Sequence, residues 1–158
     1  DLSEIGQLVY LRVLRMGGQD SITSMEALSG LSSLKEIHLE ACPNLSSIKG
    51  IPSSVSQYAG FTHCPKLETL SGIEVCDGLE QLDVTGCRNL KDIKQVSQLR
   101  SLVQFSLVKC RQVTDIAPVA GLAELTVVML GGSGILPDSI EDIEMANSEI
   151  IFDFAVGE

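Results

Sequence analysis

A period constrains this chain more than any other feature. One position recurs as Gln19, Cys42, Cys64, Cys87, Cys110 and Ser133, at intervals of 23, 22, 23, 23 and 23 residues. Apolar columns run on both sides of it. Before the anchor stand Leu11, Leu34, Leu79, Leu102 and Leu125, then Leu14, Ile37, Leu82, Phe105 and Val128, then Met16, Leu39, Val84, Leu107 and Leu130. After it come Ile22, Leu45, Leu67, Leu90 and Val113, then Met25, Ile48, Leu70, Ile93 and Ile116, then Leu28, Ile51, Ile73, Val96 and Val119. Within a unit such as residues 79–96, Leu82-x-Val84 has the two-residue step of a short strand. Leu90-x-x-Ile93-x-x-Val96 has the three-residue step of a 3₁₀-like or extended return. A helix or a strand alone cannot satisfy both steps, whereas one turn of a solenoid does. A single turn leaves its apolar side chains facing solvent at either end, so the units must stack to share a core.

The period sets the organisation of a single domain over residues 1–158. Repeats begin near residues 11, 34, 56, 79, 102 and 125. Residues 1–10 read as half a repeat, because Leu2, Ile5 and Leu8 stand 23 residues before Met25, Leu28 and Leu31. That incomplete opening reads as part of a longer protein. Gly17-Gly18 marks the exit from the first strand, where glycine accommodates a sharp bend. The 22-residue interval places a deletion near Pro52 to Ser56, so Ser56 or a displaced Val55 fills the first Leu column there. Cys76 takes the column held elsewhere by Leu31, Leu99 and Leu122. Residues 140–158 read as an irregular terminal repeat or cap: Ile140, Ile143 and Met145 are expected to start a further strand, and SEIIFDFAVGE to close the stack.

The template L-x-x-L-x-L-x-x-C-x-x-L-x-x-I resembles the leucine-rich repeat, with Cys where many members carry Asn. The resemblance implies an α/β-type repeat solenoid. This is a curved horseshoe of about six 23-residue repeats, with a parallel β-sheet on its concave face and short turns or 3₁₀ segments on its convex face. The segments CPNLSSI (42–48), CPKLETL (64–70), CRNLKDI (87–93) and LPDSI (136–140) resemble the repeat region of plant intracellular nucleotide-binding immune receptors of the Toll/interleukin-receptor-domain class. That likeness implies a ligand-sensing or autoinhibitory module whose partner is a pathogen effector or another domain of the same protein. TDIAPVAGL (114–122) is similar instead to bacterial and protist repeat proteins, and implies a general binding scaffold of effector or phosphatase-regulator type.

The residues themselves point away from chemistry. Nucleophile motifs, paired metal-binding histidines, CxxC pairs and phosphate loops are missing from the sequence. Gly131-Gly132-Ser133-Gly134 lacks the lysine that a phosphate cradle needs and falls where its repeat turns. His38 and His63 stand on adjacent coils but three template positions apart, roughly 10 Å by strand rise. The expectation is therefore a non-enzymatic chain with no cofactor and no metal. Its formal charge of −10 is lopsided: Arg111 is the last basic residue and nine acidic residues follow it. Phosphate contacts need clustered Lys and Arg, which excludes nucleic acid as the expected partner. No 18-residue apolar run exists to span a membrane. Four of the five cysteines fill one inward column, so they read as reduced packing residues rather than disulfides, and a reducing, cytoplasmic setting is expected.

Function then rests on the side chains that the strands turn outward, because alternation gathers them on one face of the sheet. Together with Val13 and Val127, these are Arg15 on the first coil; Glu36, His38 and Glu40 on the second; and Tyr58, Thr62 and His63 on the third. Gln81, Asp83 and Thr85 follow on the fourth, Gln104, Ser106 and Lys109 on the fifth, and Met129 on the sixth. A protein partner is expected there, with Tyr58, His38 and Met129 as anchors, since amphipathic and polarizable side chains concentrate binding energy.

Overall fold

The computed structural model describes residues 2–155. Each coil contributes one short strand, and the strands are β1 (Val13–Gly17), β2 (Glu36–Glu40), β3 (Tyr58–Thr62), β4 (Gln81–Asp83), β5 (Gln104–Ser106), β6 (Val127–Met129) and β7 (Ile151–Asp153). All seven lie in one open, curved parallel sheet whose spatial order is the chain order. The register follows the period: Leu14, Ile37, Ala59, Leu82, Phe105, Val128 and Phe152 stand side by side across the sheet. This row points inward, and six of its seven members are buried. Bulk is redistributed along the inner rows, since Ala59 and Phe61 on β3 replace the Ile37 and Leu39 of β2. Phe61 and Phe105 are the largest fully buried side chains.

The return path is made of short 3₁₀ turns: Glu26–Leu28, Ile73–Val75, Lys94–Gln98 and Ala117–Val119. Each begins near the apolar triplet whose three-residue step matches the 3₁₀ repeat. The coil with the deletion has no such turn. Val55 fills the vacant apolar slot there and is fully buried, while Ser56 remains partly exposed. Cys76, in the Leu31 column, is also fully buried and donates its thiol to the Pro52 carbonyl at 3.4 Å.

The C-terminal coil departs from expectation. Residues 137–146 form a 3₁₀ turn (Pro137–Ile140) running into the helix α1 (Glu141–Ala146), where a strand was expected from Ile140, Ile143 and Met145. Pro137 suits the first turn of a helix, and the Glu141, Asp142 and Glu144 carboxylates favour its N-terminal end. Ile140 and Ile143, three apart, face the core, while Met145 is 86% exposed. The strand of this coil is β7, within the segment expected to close the stack. Residues 156–158 of that segment lie outside the described ones.

The anchor column is a ladder of thiols inside the stack. Cys87 donates to the Phe61 carbonyl of the preceding coil at 2.8 Å, and Cys110 to that of Val84 at 3.1 Å. Two residues on, Asn44 and Asn89 bond the preceding coil in the same sense, to the Asp20 carbonyl at 2.9 Å and the Pro65 carbonyl at 2.8 Å. All five cysteines are free and buried. Burial holds the Cys76 and Cys110 thiols up near 12, so they stay protonated.

Candidate functional site

Three outward rows cross the sheet at right angles to the strands. The first is Val13, Glu36, Tyr58, Gln81, Gln104, Val127 and Ile151. The central row is Arg15, His38, Gly60, Asp83, Ser106, Met129 and Asp153. The third holds Gly17, Glu40 and Thr62, and Thr85 continues it two residues past the end of β4. Fourteen of the sixteen residues expected on the outward face thus lie in these rows. Gly17, Gly60, Ile151 and Asp153 join them without having been expected there. Asp153 repeats Met129 at an interval of 24, hidden by the irregular last coil, and a glycine offers no side chain to flag.

His63 and Lys109 are the exceptions. Both lie just past their strands in a turn where Gly18, Ala41, His63, Gly86, Lys109 and Gly132 all take left-handed φ values of 51° to 76°. The position stands immediately before the anchor, and glycine at three of its six members was the available signal. Here the backbone leaves the strand while its N–H still reaches the next coil: His63 donates to the Thr85 carbonyl and Lys109 to that of Gly131, each at 2.8 Å. Their side chains therefore depart from the strand alternation. The His63 ring instead lies over Gly86, where a Cβ would come within 2.6 Å of its Cδ2. Ser106 is in its expected row but only 3% exposed, beneath its neighbours, with its hydroxyl 2.9 Å from that of Thr85.

From β1 to β4 the side chains link into one chain. Arg15 donates to Glu36 Oε2 at 3.3 Å, and His38 Nε2 lies 3.0 Å from the same oxygen. The His38 ring stacks on Tyr58, centroids 4.2 Å apart and planes within 17°. Tyr58 can lie along its own strand only because the next outward residue is Gly60, where a Cβ would sit 2.5 Å from the ring. The phenol donates to Asp83 Oδ2 at 3.3 Å, and Asp83 Oδ1 accepts the Thr85 N–H at 2.8 Å. The electrostatics follow from these contacts. The hydrogen bond from His38, and then that from Arg15, hold the Glu36 carboxyl below its ordinary value. Burial, reinforced by the Asp83 charge, pushes the Tyr58 phenol up to about 12.

Three hollows line the face. One of about 460 Å³ lies among Arg15, Met16, Gly17, His38 and Glu40. One of about 250 Å³ lies around Tyr58, Gly60, Thr62 and Asp83. The third, about 360 Å³, runs from Asp83 past Ser106, Val108 and Met129 to Asp153. Among the described residues no group of three His, Cys, Asp or Glu side chains is placed to hold a metal. No helix among them is long and apolar enough to cross a membrane.

No family profile and no curated protein matches the sequence. Solved structures do match. An internalin (inlF) of Listeria monocytogenes superposes with a TM-score of 0.65 at 22% identity, over 96% of this chain and 49% of its own. Internalin C2 of the same organism gives 0.64 at 18% identity, over 87% and 59%. At lower similarity, the plant peptide hormone receptor RGFR1, solved in complex with RGF2, gives 0.51 at 16%, over 95% and 28%. The chain spans only about half the length of the two internalins. Seven parallel strands in chain order, one per 23-residue coil, and these superpositions together identify the architecture as the leucine-rich repeat solenoid.

Proposed function

We propose that this chain is a non-enzymatic recognition module that binds a protein partner across the concave face of its sheet. The observation that carries the reading is the continuous line of fixed polar and aromatic side chains from Arg15 through Glu36, His38 and Tyr58 to Asp83. Such a surface is ordered before a partner arrives, so docking costs little side-chain entropy. The stacked His38–Tyr58 pair presents amphipathic rings of the kind that dominate binding energy. RGFR1, a solenoid of similar fold, was solved with RGF2 bound, which supports ligand recognition as a use of this architecture. The test is to isolate a partner on the wild-type chain and titrate it against variants. Tyr58→Ala and His38→Glu should each weaken binding at least tenfold, while Gln98→Arg on the return path should leave it unchanged. The reverse pattern sinks the concave assignment.

At finer grain, the CPNLSSI, CPKLETL, CRNLKDI and LPDSI segments favour the repeat region of an intracellular plant resistance receptor, sensing an effector or restraining a neighbouring domain. Five free, buried thiols support a reducing, cytoplasmic setting. TDIAPVAGL favours the second reading, a general binding scaffold of a bacterial or protist protein. An adjoining nucleotide-binding P-loop in the gene that encodes this chain selects the first reading, and a gene with repeats alone selects the second.

A further inference from the structure

The outward face is not uniform. From β1 to β4 its polar groups answer one another in a continuous line, whereas from β4 to β7, among the described residues, only the Thr85–Ser106 hydroxyl contact joins neighbouring side chains. Of the four carboxylates on the face, only Glu36 is paired with a cationic side chain. Among the described residues no Lys, Arg or His nitrogen lies in ion-pair range of Glu40, Asp83 or Asp153. The 360 Å³ hollow has Asp83 at one end and Asp153 at the other. Met129 and Val108 give it apolar walls, and the Ser106 and Thr85 hydroxyls lie between. Each carboxylate is oriented by a backbone N–H on its Oδ1, from Thr85 and from Ala155, both at 2.8 Å. Asp83 and Asp153 belong to one row, three strands apart. At about 4.8 Å per strand their backbones are roughly 14 Å apart, too far for one cation to serve both. An extended segment rises about 3.4 Å per residue and shows every second side chain on one side, so positions i and i+4 cover roughly 14 Å on a common face.

We propose that the hollow from β4 to β7 receives an extended, basic peptide segment laid across the strands, with a Lys or Arg at i on Asp83, an apolar residue at i+2 on Met129, and a second Lys or Arg at i+4 on Asp153. The inference rests on the concave-face reading and narrows it to a class of ligand. A cation needs just what these side chains offer: a carboxylate for its head and an apolar wall for its aliphatic stem. The charge of −10 attracts such a segment from a distance.

The test is a selection from a randomised display library of linear peptides on the full chain, with counter-selection on a chain carrying Gln104→Trp and Gln81→Trp, which fill the face from two exposed positions. Enriched peptides with two basic residues four apart, whose synthetic versions lose at least tenfold affinity with Asp83→Asn or Asp153→Asn and with one Lys moved to i+3, bear the proposal out. Affinity should also fall steeply with salt. Enriched peptides that need the open face but carry no basic pair, or that ignore both Asn variants, overturn the proposal and leave the concave-face reading standing. Enrichment that survives the two Trp substitutions, or no enrichment at all, overturns the proposal and weighs against the concave-face reading with it.

Discussion

Gly50→Ala should cost several times more stability than Gly18→Ala, although both glycines are left-handed. At Gly18 φ is +64° and an added Cβ meets nothing within 4 Å. Only the backbone term applies there. A left-handed Cβ costs about 1–2 kcal/mol, and the stiffer unfolded chain returns about 0.4–1 kcal/mol of it. The net loss is about 0.5–1 kcal/mol. Gly50, at φ +89°, sits against the preceding coil: its Cβ would lie 2.5 Å from the Glu26 nitrogen and overlap the Glu26 Cα. Ordinary contact is near 3.5 Å, so the two coils must part by about 1 Å. That strain adds about 1–3 kcal/mol, and it stretches the Met25 N–H bond to the Lys49 carbonyl, 3.1 Å in the native stack. Weakening that bond adds about 1 kcal/mol, for a total of about 3–5 kcal/mol. Urea unfolding followed by far-ultraviolet circular dichroism measures both variants. Slopes must be compared with midpoints, because coils of a solenoid can unfold separately. Losses for the two variants within 0.5 kcal/mol of each other would refute the close approach of neighbouring coils at Gly50.

Three further outcomes follow from the packing and the electrostatics. In a Tyr10→Phe background, ultraviolet titration should place the Tyr58 phenol near 12, and Asp83→Asn should lower it only in part, since burial is the larger cause. The fold holds this proton more tightly than the unfolded chain does, so the contribution to stability is complete below pH 10 and disappears as pH rises towards 12. Glu36 has the opposite sign: its depressed carboxyl stabilises the fold above pH 4.5 and ceases to do so as pH falls through its lowered value, a dependence that Glu36→Gln should erase from an acid-unfolding profile. Phe105→Ala should cost about 3–5 kcal/mol by chemical denaturation, because the side chain is wholly enclosed and its coil has neighbours on both sides.

Most of the architecture is legible in the sequence because one interval governs it. Once Cys42, Cys64, Cys87 and Cys110 are aligned, the inner rows, the outer rows and the register follow together. The misreadings occur where local chemistry overrides the interval. Ile140, Ile143 and Met145 continue an apolar rhythm, but Pro137 and the carboxylates of residues 141–144 favour a helix there. His63 and Lys109 look like strand residues until the backbone reverses sign before the anchor, a conformation that a histidine or lysine does not announce. The outward face is legible as a list of positions but not as a network. That Tyr58 folds over Gly60 to reach Asp83 depends on a missing Cβ two residues along the strand, and no column of side chains records it.

The match between chain order and sheet order also governs how the molecule comes together. The bonds that join neighbouring coils connect positions about one repeat apart, up to 26 residues for the thiols of Cys87 and Cys110. Closing any coil onto its neighbour therefore carries nearly the same loop entropy, wherever it lies in the chain. Among the described residues no strand pairing or backbone hydrogen bond joins the two ends. A chain emerging from the ribosome at about 10 residues per second completes a new coil roughly every two seconds. Each coil can settle on the one before it, so folding keeps pace with synthesis from one coil to the next.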